Sequence, residues 1–385
     1  MANTTDFQKL RKKRQRKETL KRILILGGVA LALASVVFLN SYLIDIGATT
    51  HLSDYISSLG GGGYPVSVPG GEIISVEGLD TDLAVLNDTN LYIYSPKGKI
   101  ISSVQQMNSN SIMDVGGKRV LTYSIGSKRL AIHSRSQEVF AQDFPFGVQY
   151  ASMNEQGYFA VVTSSQQYVS QVLVYDSSFK EIYQFFSAEN IVTGVSVSPS
   201  GKMLAVACLN TQNGMLQSVL YLYRLNAEKE VAKILLTEEL ILNVDFAEDK
   251  RISVVTDKSW VNFSDTGLEL NRYSFEDQPL ISFRSQGKNM LFLLGQYKDT
   301  RSQDLAVVDT AGIQRAGLHS SDRIRDMALD SKNIYLLYDD GLYTYNYDFN
   351  ETSAFHTRNI SRIVPVKNRL YYLTDEEIAV LGLQP

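Results

Sequence analysis

A short apolar run returns eight times along this chain, and that recurrence restricts the possible folds more than any other feature. Successive runs begin 36 to 48 residues apart, with an average spacing of about 41. Repetition at this interval is typical of a β-propeller, in which each repeat forms one four-stranded blade. The eight runs start at Leu83, Val120, Phe159, Leu204, Ile252, Leu291, Ile334 and Leu370.

A second apolar run follows each of the first and supplies the next strand of the same unit. Val, Ile and Tyr are frequent in both series, and Gly, Asn, Asp and Ser separate them, which favours strands over helices. A more polar run then follows, as in KIISSVQ from Lys99, and is the expected outer strand. The second runs start at Leu91, Leu130, Val172, Leu220, Trp260, Leu305, Leu342 and Ile378.

The repeated units predict an all-β fold, a β-propeller of four-stranded blades. We expect eight blades, with seven as the alternative if the short second unit is degenerate. The eighth unit stops before its outer strand, whereas residues 64–68 form a strand-like segment ahead of the first unit. We expect that segment to complete the last blade, so that residues 64–385 close into a ring without exposed strand edges.

The first 44 residues have a different composition from the repeats. Residues 1–22 hold nine Lys and Arg against two acidic side chains, and residues 23–44 hold no charged side chain. A helix of this length spans about 33 Å, close to the roughly 30 Å hydrocarbon core of a bilayer. The sequence thus predicts one transmembrane α-helix at residues 23–44. A cleaved signal peptide ending near residues 32–34 is the alternative.

The charge asymmetry around this span predicts its orientation. Basic residues precede it and residues 45–71 contain no Lys or Arg, so the positive-inside rule places residues 1–22 in the cytoplasm. We expect a single-pass plasma-membrane protein whose C-terminal domain is extracytoplasmic, with a flexible Gly-rich tether at residues 45–63. The basic tail is expected to contact anionic lipids. That role is favoured over nucleic-acid binding because the tail abuts a span.

One turn carries a family resemblance. The segment SPSGK at residues 198–202, with an alternating strand before it and MLAVA after it, resembles the S-P-D-G-K turn of TolB-like and WD40-like propellers. The W-D dipeptide of true WD40 repeats does not occur. The order of basic tail, span, tether and blades looks like an uncharacterised family of single-pass, membrane-anchored β-propeller proteins from clostridia and related Gram-positive bacteria. That resemblance implies architecture and location, and it implies no activity because the family is a domain of unknown function.

Motifs for catalysis or metal binding are missing from the sequence. Four His are scattered, the single Cys has no partner, and no G-x-S-x-G occurs. Cys208 lies in an apolar run and is expected to be a core residue. Asp80 and Asp82, with Asn87 and Asp88, offer oxygen ligands for calcium, but turn formation is favoured because the EF-hand pattern is missing. We therefore expect no enzyme activity, no cofactor and no bound metal.

Three connections between second and third strands are long, at residues 164–170, 209–218 and 295–303. Propellers commonly bind through this face, and aromatic, amide and Arg side chains combine contact area with hydrogen bonding. The alternative is that the loops are tolerated insertions without a role. The candidate binding residues are Tyr168, Asn210, Asn213, Met215, Tyr297, Lys298 and Arg301.

Two hypotheses about function follow from these features. The first is a membrane-anchored extracytoplasmic binding or scaffold module that recognises an envelope protein, peptide or glycan. The second is a metal-dependent cell-envelope propeller hydrolase or lyase whose acidic channel would hold the metal. The first is favoured because the sequence lacks a catalytic motif.

Overall fold

The computed structural model divides the chain into two units, Met1–Leu59 and Gly60–Pro385. The predicted cytoplasmic tail, the predicted membrane helix apart from residues 27–28, and residues 45–59 of the predicted tether lie outside the described residues. Among the residues that are described, none belongs to a helix with the length and apolarity needed to cross a bilayer. The described residues are 27–28, 60–68, 70–106, 110–212, 214–296, 301–357 and 359–382.

Within the described residues, 32 strands form eight antiparallel sheets of four strands each. The first to fourth blades contain β2 (Ile73–Leu79), β3 (Asp82–Asn87), β4 (Asn90–Tyr94), β5 (Ile100–Gln105); β6 (Ser111–Gly116), β7 (Arg119–Ser124), β8 (Arg129–His133), β9 (Glu138–Asp143); β10 (Val148–Met153), β11 (Phe159–Thr163), β12 (Ser170–Tyr175), β13 (Glu181–Ser187); β14 (Ile191–Val197), β15 (Met203–Gln212), β16 (Met215–Arg224) and β17 (Glu230–Thr237). The fifth to eighth blades contain β18 (Ile241–Glu248), β19 (Arg251–Thr256), β20 (Ser259–Ser264), β21 (Glu269–Ser274); β22 (Leu280–Gln286), β23 (Asn289–Gly295), β24 (Gln303–Asp309), β25 (Gln314–Ser320); β26 (Asp326–Leu329), β27 (Asn333–Leu337), β28 (Leu342–Asn346), β29 (Glu351–Phe355); and β30 (Arg362–Val366), β31 (Arg369–Leu373), β32 (Glu377–Gly382) with β1 (Val66–Ser67).

Each blade follows chain order from the centre of the ring outward, with β1 as the exception. First strands of neighbouring blades, for example β2 with β6 and β30, contact one another around the centre and line a central channel. The second strands contain the eight runs that define the repeat, and the third strands contain the second series. The chain is an all-β, eight-bladed propeller of four-stranded blades. The prediction of eight blades is confirmed, and the seven-bladed alternative is wrong.

The hydrophobic core is divided among the interfaces between blades. Eight clusters of buried apolar side chains occur among the described residues, and each combines two neighbouring blades. Between the fourth and fifth blades, for example, Leu220 packs with Ile252 and Phe263. Because both faces of a blade are apolar, a blade becomes stable only with a neighbour on each side. Cys208 lies fully buried in one of these clusters, and burial raises the pKa of its thiol to about 12.

The eighth blade takes its outermost strand from the other end of the propeller. β1 pairs with β32 through Val66 opposite Ile378, and the backbone N–H of Val68 donates to the carbonyl of Glu376 at 2.9 Å. The Tyr64 ring meets Tyr371 edge-on at 5.2 Å, and its hydroxyl donates to the Ser95 carbonyl at 3.0 Å. The strand predicted at residues 64–68 is thus a two-residue strand flanked by residues that also pack into the interface between the eighth and first blades.

The four-glycine segment at residues 60–63 packs closely against the first blade. The backbone N–H of Gly63 donates to the Lys97 carbonyl at 2.9 Å, and a Cβ atom on Gly61 would collide with that same carbonyl. A Cβ atom on Gly98 would lie 2.6 Å from the Gly63 carbonyl oxygen. The sequence assigned these glycines to a flexible tether, whereas here their lack of a side chain permits the backbones to approach.

Candidate functional site

The propeller has two faces that differ in the connections they present. We call the upper face the one formed by the turns between second and third strands together with the connections from one blade to the next. The lower face carries the remaining turns, including the SPSGK turn, where the Ser198 hydroxyl accepts the N–H of Met203 at 3.0 Å. All three segments predicted to be long loops lie on the upper face.

Tyr168 lies in the first of these loops, on the third blade. Its side chain is 38% exposed and its ring lies against that of Phe186, with centroids 4.9 Å apart. The next residue, Val169, is also exposed, and its N–H donates to the Ser187 carbonyl at 2.9 Å. The loop is therefore held against the outer strand of its own blade and presents an aromatic pair to solvent.

The prediction of a long loop at residues 209–218 is wrong. β15 and β16 pair over ten residues each and form a hairpin in which Asn210 faces Gln217 and Gln212 faces Met215. An Asn-Gly pair between two runs with strand character is a strong hairpin signal, and this sequence has it at residues 213–214. Met215 is 55% exposed near the tip, while the Asn210 side chain accepts the N–H of Thr211.

The remaining candidate that the structure describes lies apart from these two segments. Arg301 is exposed just before β24 on the sixth blade, and the fifth blade, whose upper turn spans only residues 257–258, stands between it and the hairpin. The other three candidates, Asn213, Tyr297 and Lys298, lie outside the described residues. Among the described candidates, the structure thus places Tyr168, Asn210 and Met215 on adjacent blades and Arg301 apart from them.

The upper face of the third to fifth blades concentrates exposed apolar side chains. We call the set the apolar surface, and its members are 37% to 60% exposed. Sequence reasoning identified two of them and missed seven. Two of the missed residues lie in the predicted long loops, and the other five occupy outer or inner strands and an interblade connection. The apolar surface consists of Tyr168, Val169, Phe186, Ile191, Met215, Leu216, Leu235, Leu240 and Leu242.

Acidic side chains border the apolar surface. The connections that follow the third, fourth and fifth blades, together with the upper turn of the fifth, contain six acidic residues and one Lys. Glu239 is paired with Arg272 at 2.6 Å, and Asp257 accepts the N–H of Leu240 at 2.7 Å. The charged residues in these segments are Glu189, Glu238, Glu239, Asp257, Lys258, Glu276 and Asp277.

A Ser, a His and an Asp meet at the base of the third long loop. His319 Nδ1 lies 2.6 Å from Asp304 Oδ1, and its Nε2 lies 3.3 Å from the hydroxyl oxygen of Ser302. Burial acts to raise the pKa of Asp304, but hydrogen bonds from His319, Gln296 and Gln278 lower it overall. A His placed between a Ser and an Asp is the arrangement of a nucleophilic triad. Ser302 is buried, and Asp304 also accepts from Gln278 and Gln296, so the group connects β24 and β25 with the segments beside them.

The central channel contains carboxylates, as the enzyme hypothesis requires, and two of them, Asp114 and Asp326, connect blades. Asp114 accepts the N–H of Met153 from the next blade at 2.7 Å, and Asp326 accepts that of Ile363 at 3.0 Å. Burial raises the pKa of Asp114 to about 6 and that of Glu77 to about 7. Within the described ranges, no three His, Cys, Asp or Glu residues are grouped closely enough to hold a metal ion.

The four side chains weighed as calcium ligands in the sequence lie at the two ends of one strand. Asp80 and Asp82 lie at the lower end of β3, where Asp82 pairs with Arg135 at 2.6 Å. Asn87 lies at the upper end and accepts the N–H of Thr89 at 3.0 Å. Turn formation therefore accounts for Asn87, and ion pairs with Lys367 and Arg135 account for Asp80 and Asp82.

Comparison with solved structures identifies the class of protein to which this geometry belongs. BamB from Moraxella catarrhalis has a TM-score of 0.52 at 10% identity, over 83% of this chain and 100% of that one. The C-terminal WD40 domain of Sif2 has a TM-score of 0.60 at 10% identity, over 85% and 100%. Sqt1 from Chaetomium thermophilum, bound to the N-terminus of the ribosomal protein L10, has a TM-score of 0.55 at 10% identity, over 82% and 98%. The chain is thus an eight-bladed β-propeller similar to BamB and WD40 proteins in fold.

The family is defined by the sequence. Residues 71–383 match the model of the Family of unknown function (DUF5711), and the chain belongs to that family. A search of curated proteins finds no match. The match begins two residues before β2 and so covers nearly all of the propeller.

Proposed function

We propose that this protein is a membrane-anchored binding or scaffold module whose propeller recognises a protein segment outside the cytoplasm. The observation that supports this best is the apolar surface, where nine large side chains remain exposed on three neighbouring blades. Large exposed apolar patches on otherwise soluble domains mark interaction sites. The acidic border adds a charge preference to that surface.

The occupant that fits this surface is an amphipathic, basic segment of an envelope protein or peptide. Aliphatic side chains such as Ile191 and Leu216 offer contact area without hydrogen-bond donors or acceptors, which suits apolar side chains better than a glycan. The fold itself accommodates such a partner, since Sqt1 is a propeller bound to the N-terminus of another protein. Catalysis is not part of the proposal, because the sequence offers no catalytic motif and two of the channel carboxylates, Asp114 and Asp326, are engaged in contacts between blades.

Photo-crosslinking in living cells tests the binding surface. A photoreactive amino acid at Leu216 is compared with one at Leu268, which is 66% exposed on the lower face. We expect a discrete protein adduct from position 216 that is weak or missing from position 268. Reversing the border charges with Glu238→Lys and Asp257→Lys should reduce the adduct severalfold, because a basic partner would be repelled. Equal adducts from both positions, or indifference to the charge reversal, would overturn the proposal.

The location is proposed from the sequence: residues 23–44 span the plasma membrane once, residues 1–22 are cytoplasmic, and the propeller is extracytoplasmic. Because the only Cys is buried, single Cys substitutions can be labelled with little background. A membrane-impermeant maleimide applied to intact cells should label Gln166→Cys and leave Thr4→Cys unlabelled until the cells are lysed. The reverse pattern would show the opposite orientation. Labelling of both sites in intact cells would argue against an anchored topology.

A further inference from the structure

A cavity of about 980 Å³ opens at the centre of the ring beside the first, sixth, seventh and eighth blades. Its walls include the inner strands β2, β22, β26 and β30, and four Arg side chains line it. Two of them, Arg323 and Arg325, lie on the connection from the sixth blade to the seventh, at the upper end of the channel. Arg284 lies in β22, and Arg362 is the first residue of β30. We call this the arginine cavity.

The four arginines are only partly neutralised by acidic groups. Arg284 Nη2 lies 3.5 Å from Asp326 Oδ1, and Arg325 Nε lies 3.6 Å from a carboxylate oxygen of the largely exposed Asp339. Asp326 also accepts two backbone N–H groups, so its charge is shared. Arg362 also acts on Asp326: burial raises the pKa of that carboxyl group, and the charge of Arg362 lowers it in part.

This concentration of positive charge runs against the composition of the domain. Residues 23–385 contain 28 basic and 39 acidic side chains. In a net-negative domain, scattered arginines would be expected to pair with the more numerous carboxylates. Guanidinium groups that converge on a cavity instead are suited to an anion, because each can donate two parallel hydrogen bonds to a carboxylate or phosphate.

The deeper channel defines where such an anion stops. Glu77, the fifth of seven residues in β2, lines the lower part of the same cavity at the level of Arg284, which is the fifth of seven residues in β22. Asp114 lies in the next inner strand. Burial raises the pKa of both carboxyl groups; Asp114 raises the pKa of Glu77 further, and Asp245 raises that of Asp114. When these groups are ionised they disfavour a further anion at that depth, although Arg284 offsets part of their charge. An anion would therefore stay at the upper end, beside Arg323, Arg325 and Arg362.

We propose that the arginine cavity binds a ligand with at least two anionic groups, carboxylate or phosphate, at the upper end of the central channel. Ser282, near the upper end of β22 on the same wall, adds a hydroxyl group suited to hydrogen-bond the ligand. A volume of about 980 Å³ corresponds to a small molecule or to the end of an acidic chain, which matches the usual range of ligand pockets. This site is separate from the apolar surface, so a negative result for one site does not contradict the proposal for the other.

Calorimetric titration of the full-length protein in detergent tests the proposal. The probes are inorganic pyrophosphate and a triglutamate peptide, in 50 mM NaCl and again in 500 mM NaCl. We expect submillimolar binding of at least one probe at low salt and marked weakening at high salt, because screening reduces charge attraction. Binding of pyrophosphate alone identifies a phosphate ligand, and binding of triglutamate alone identifies a carboxylate ligand.

Paired substitutions locate the binding. Arg323→Ala with Arg362→Ala should weaken binding at least about tenfold, since two charge-assisted contacts are removed. The matched control, Arg129→Ala with Arg315→Ala, removes two arginines outside the cavity and should change affinity less than about twofold. If the double variant folds poorly, the rise in thermal midpoint on adding the probe is compared between wild type and Arg323→Gln alone. No binding of either probe by the wild type, or equal binding by cavity variants and controls, would overturn the proposal.

Discussion

The fourth and eighth blades depart from the common pattern in opposite directions. In the fourth blade, β15 and β16 extend beyond their neighbours: β14 pairs only as far as Leu209, and β17 pairs only from Gln217. In the eighth blade, the outermost strand is two residues long and comes from the other end of the propeller. In the fourth blade, two strands extend beyond the strands that flank them. The eighth blade, by contrast, is completed by a strand from another part of the chain.

The two differences have different physical consequences. The borrowed strand covers an edge and adds Tyr64, Val66 and Val68 to an interblade core, so it contributes to stability. The hairpin tip leaves Met215 and Leu216 exposed and contributes little to folding. We infer that the same four-stranded blade closes the ring at the eighth position and exposes apolar side chains for binding at the fourth.

The largest expected effect tests ring closure. Val66→Asp places a charge against the interface between the eighth and first blades and should cost about 3 kcal/mol of unfolding free energy. The matched variant Ser67→Asp changes the next residue, whose side chain points to solvent, and should cost less than about 0.5 kcal/mol. Thermal unfolding of both full-length proteins measures the difference. Equal midpoints would mean that β1 does not hold the ring.

The next effect tests the close approach at the four-glycine segment. Gly98→Ala puts a methyl group 2.6 Å from the Gly63 carbonyl oxygen and 2.8 Å from Val66 Cγ1, and should cost about 2 kcal/mol. Gly126→Ala is the control, because Gly126 also has a positive φ but no atom within 4 Å of the added methyl. Both variants share the backbone strain, so the difference in their thermal midpoints reports packing alone. A similar loss in both would remove the packing argument.

A smaller effect concerns the channel that both blades help to enclose. Burial raises the pKa of Glu77 to about 7, above its unfolded value, so the folded state holds the extra proton between about pH 4.5 and 7. Stability contributed by this group is therefore full at low pH and lost as pH rises through 7. Glu77→Gln should exceed wild type in stability by about 1 kcal/mol at pH 8 and by less at pH 5. Glu72→Gln, an exposed change just before β2, should show no such trend; a pH-independent gain for Glu77→Gln would refute the titration.

The smallest effect tests the hairpin tip. Leu216→Ser should shift the unfolding free energy by less than about 0.5 kcal/mol, because the side chain is 60% exposed. Leu220→Ser, four residues along the same strand and fully buried, should cost about 3 kcal/mol or more. Chemical denaturation of the two variants gives the comparison. A large loss at Leu216 would place the tip within the folded core and weaken its assignment to binding.

Much of the fold could be predicted because its signals are local. The runs from Leu83 and Leu91 are apolar because each forms a largely buried strand. The second strand of every other blade is largely buried as well, whereas the third strand of the seventh blade, β28, is mostly half-buried. The hairpin at residues 213–214 also had a local signal in its Asn-Gly pair. By contrast, the packing of Gly61 against Lys97 depends on two segments meeting, and composition alone favoured a flexible linker.

The candidate site was less predictable because it depends on which side of a strand faces outward. Tyr168 and Met215 were identified through loop length, whereas Phe186 and Leu240 belong to a strand end and a short connection. Arg284, Arg323 and Arg362 lie on three different blades and share no motif. Only the closed ring brings them to one cavity.

The sequence by itself determined the period, favoured eight blades over seven and located the apolar second and third strands of each blade, since burial between blades imposes an apolar pattern within every repeat. Tertiary structure decided which residues meet across the ring and which remain exposed. The physical reason is that a blade's interior is set by neighbours close in the chain, whereas the channel and the upper face are assembled from connections contributed by separate blades. The apolar surface and the arginine cavity are therefore properties of the closed propeller.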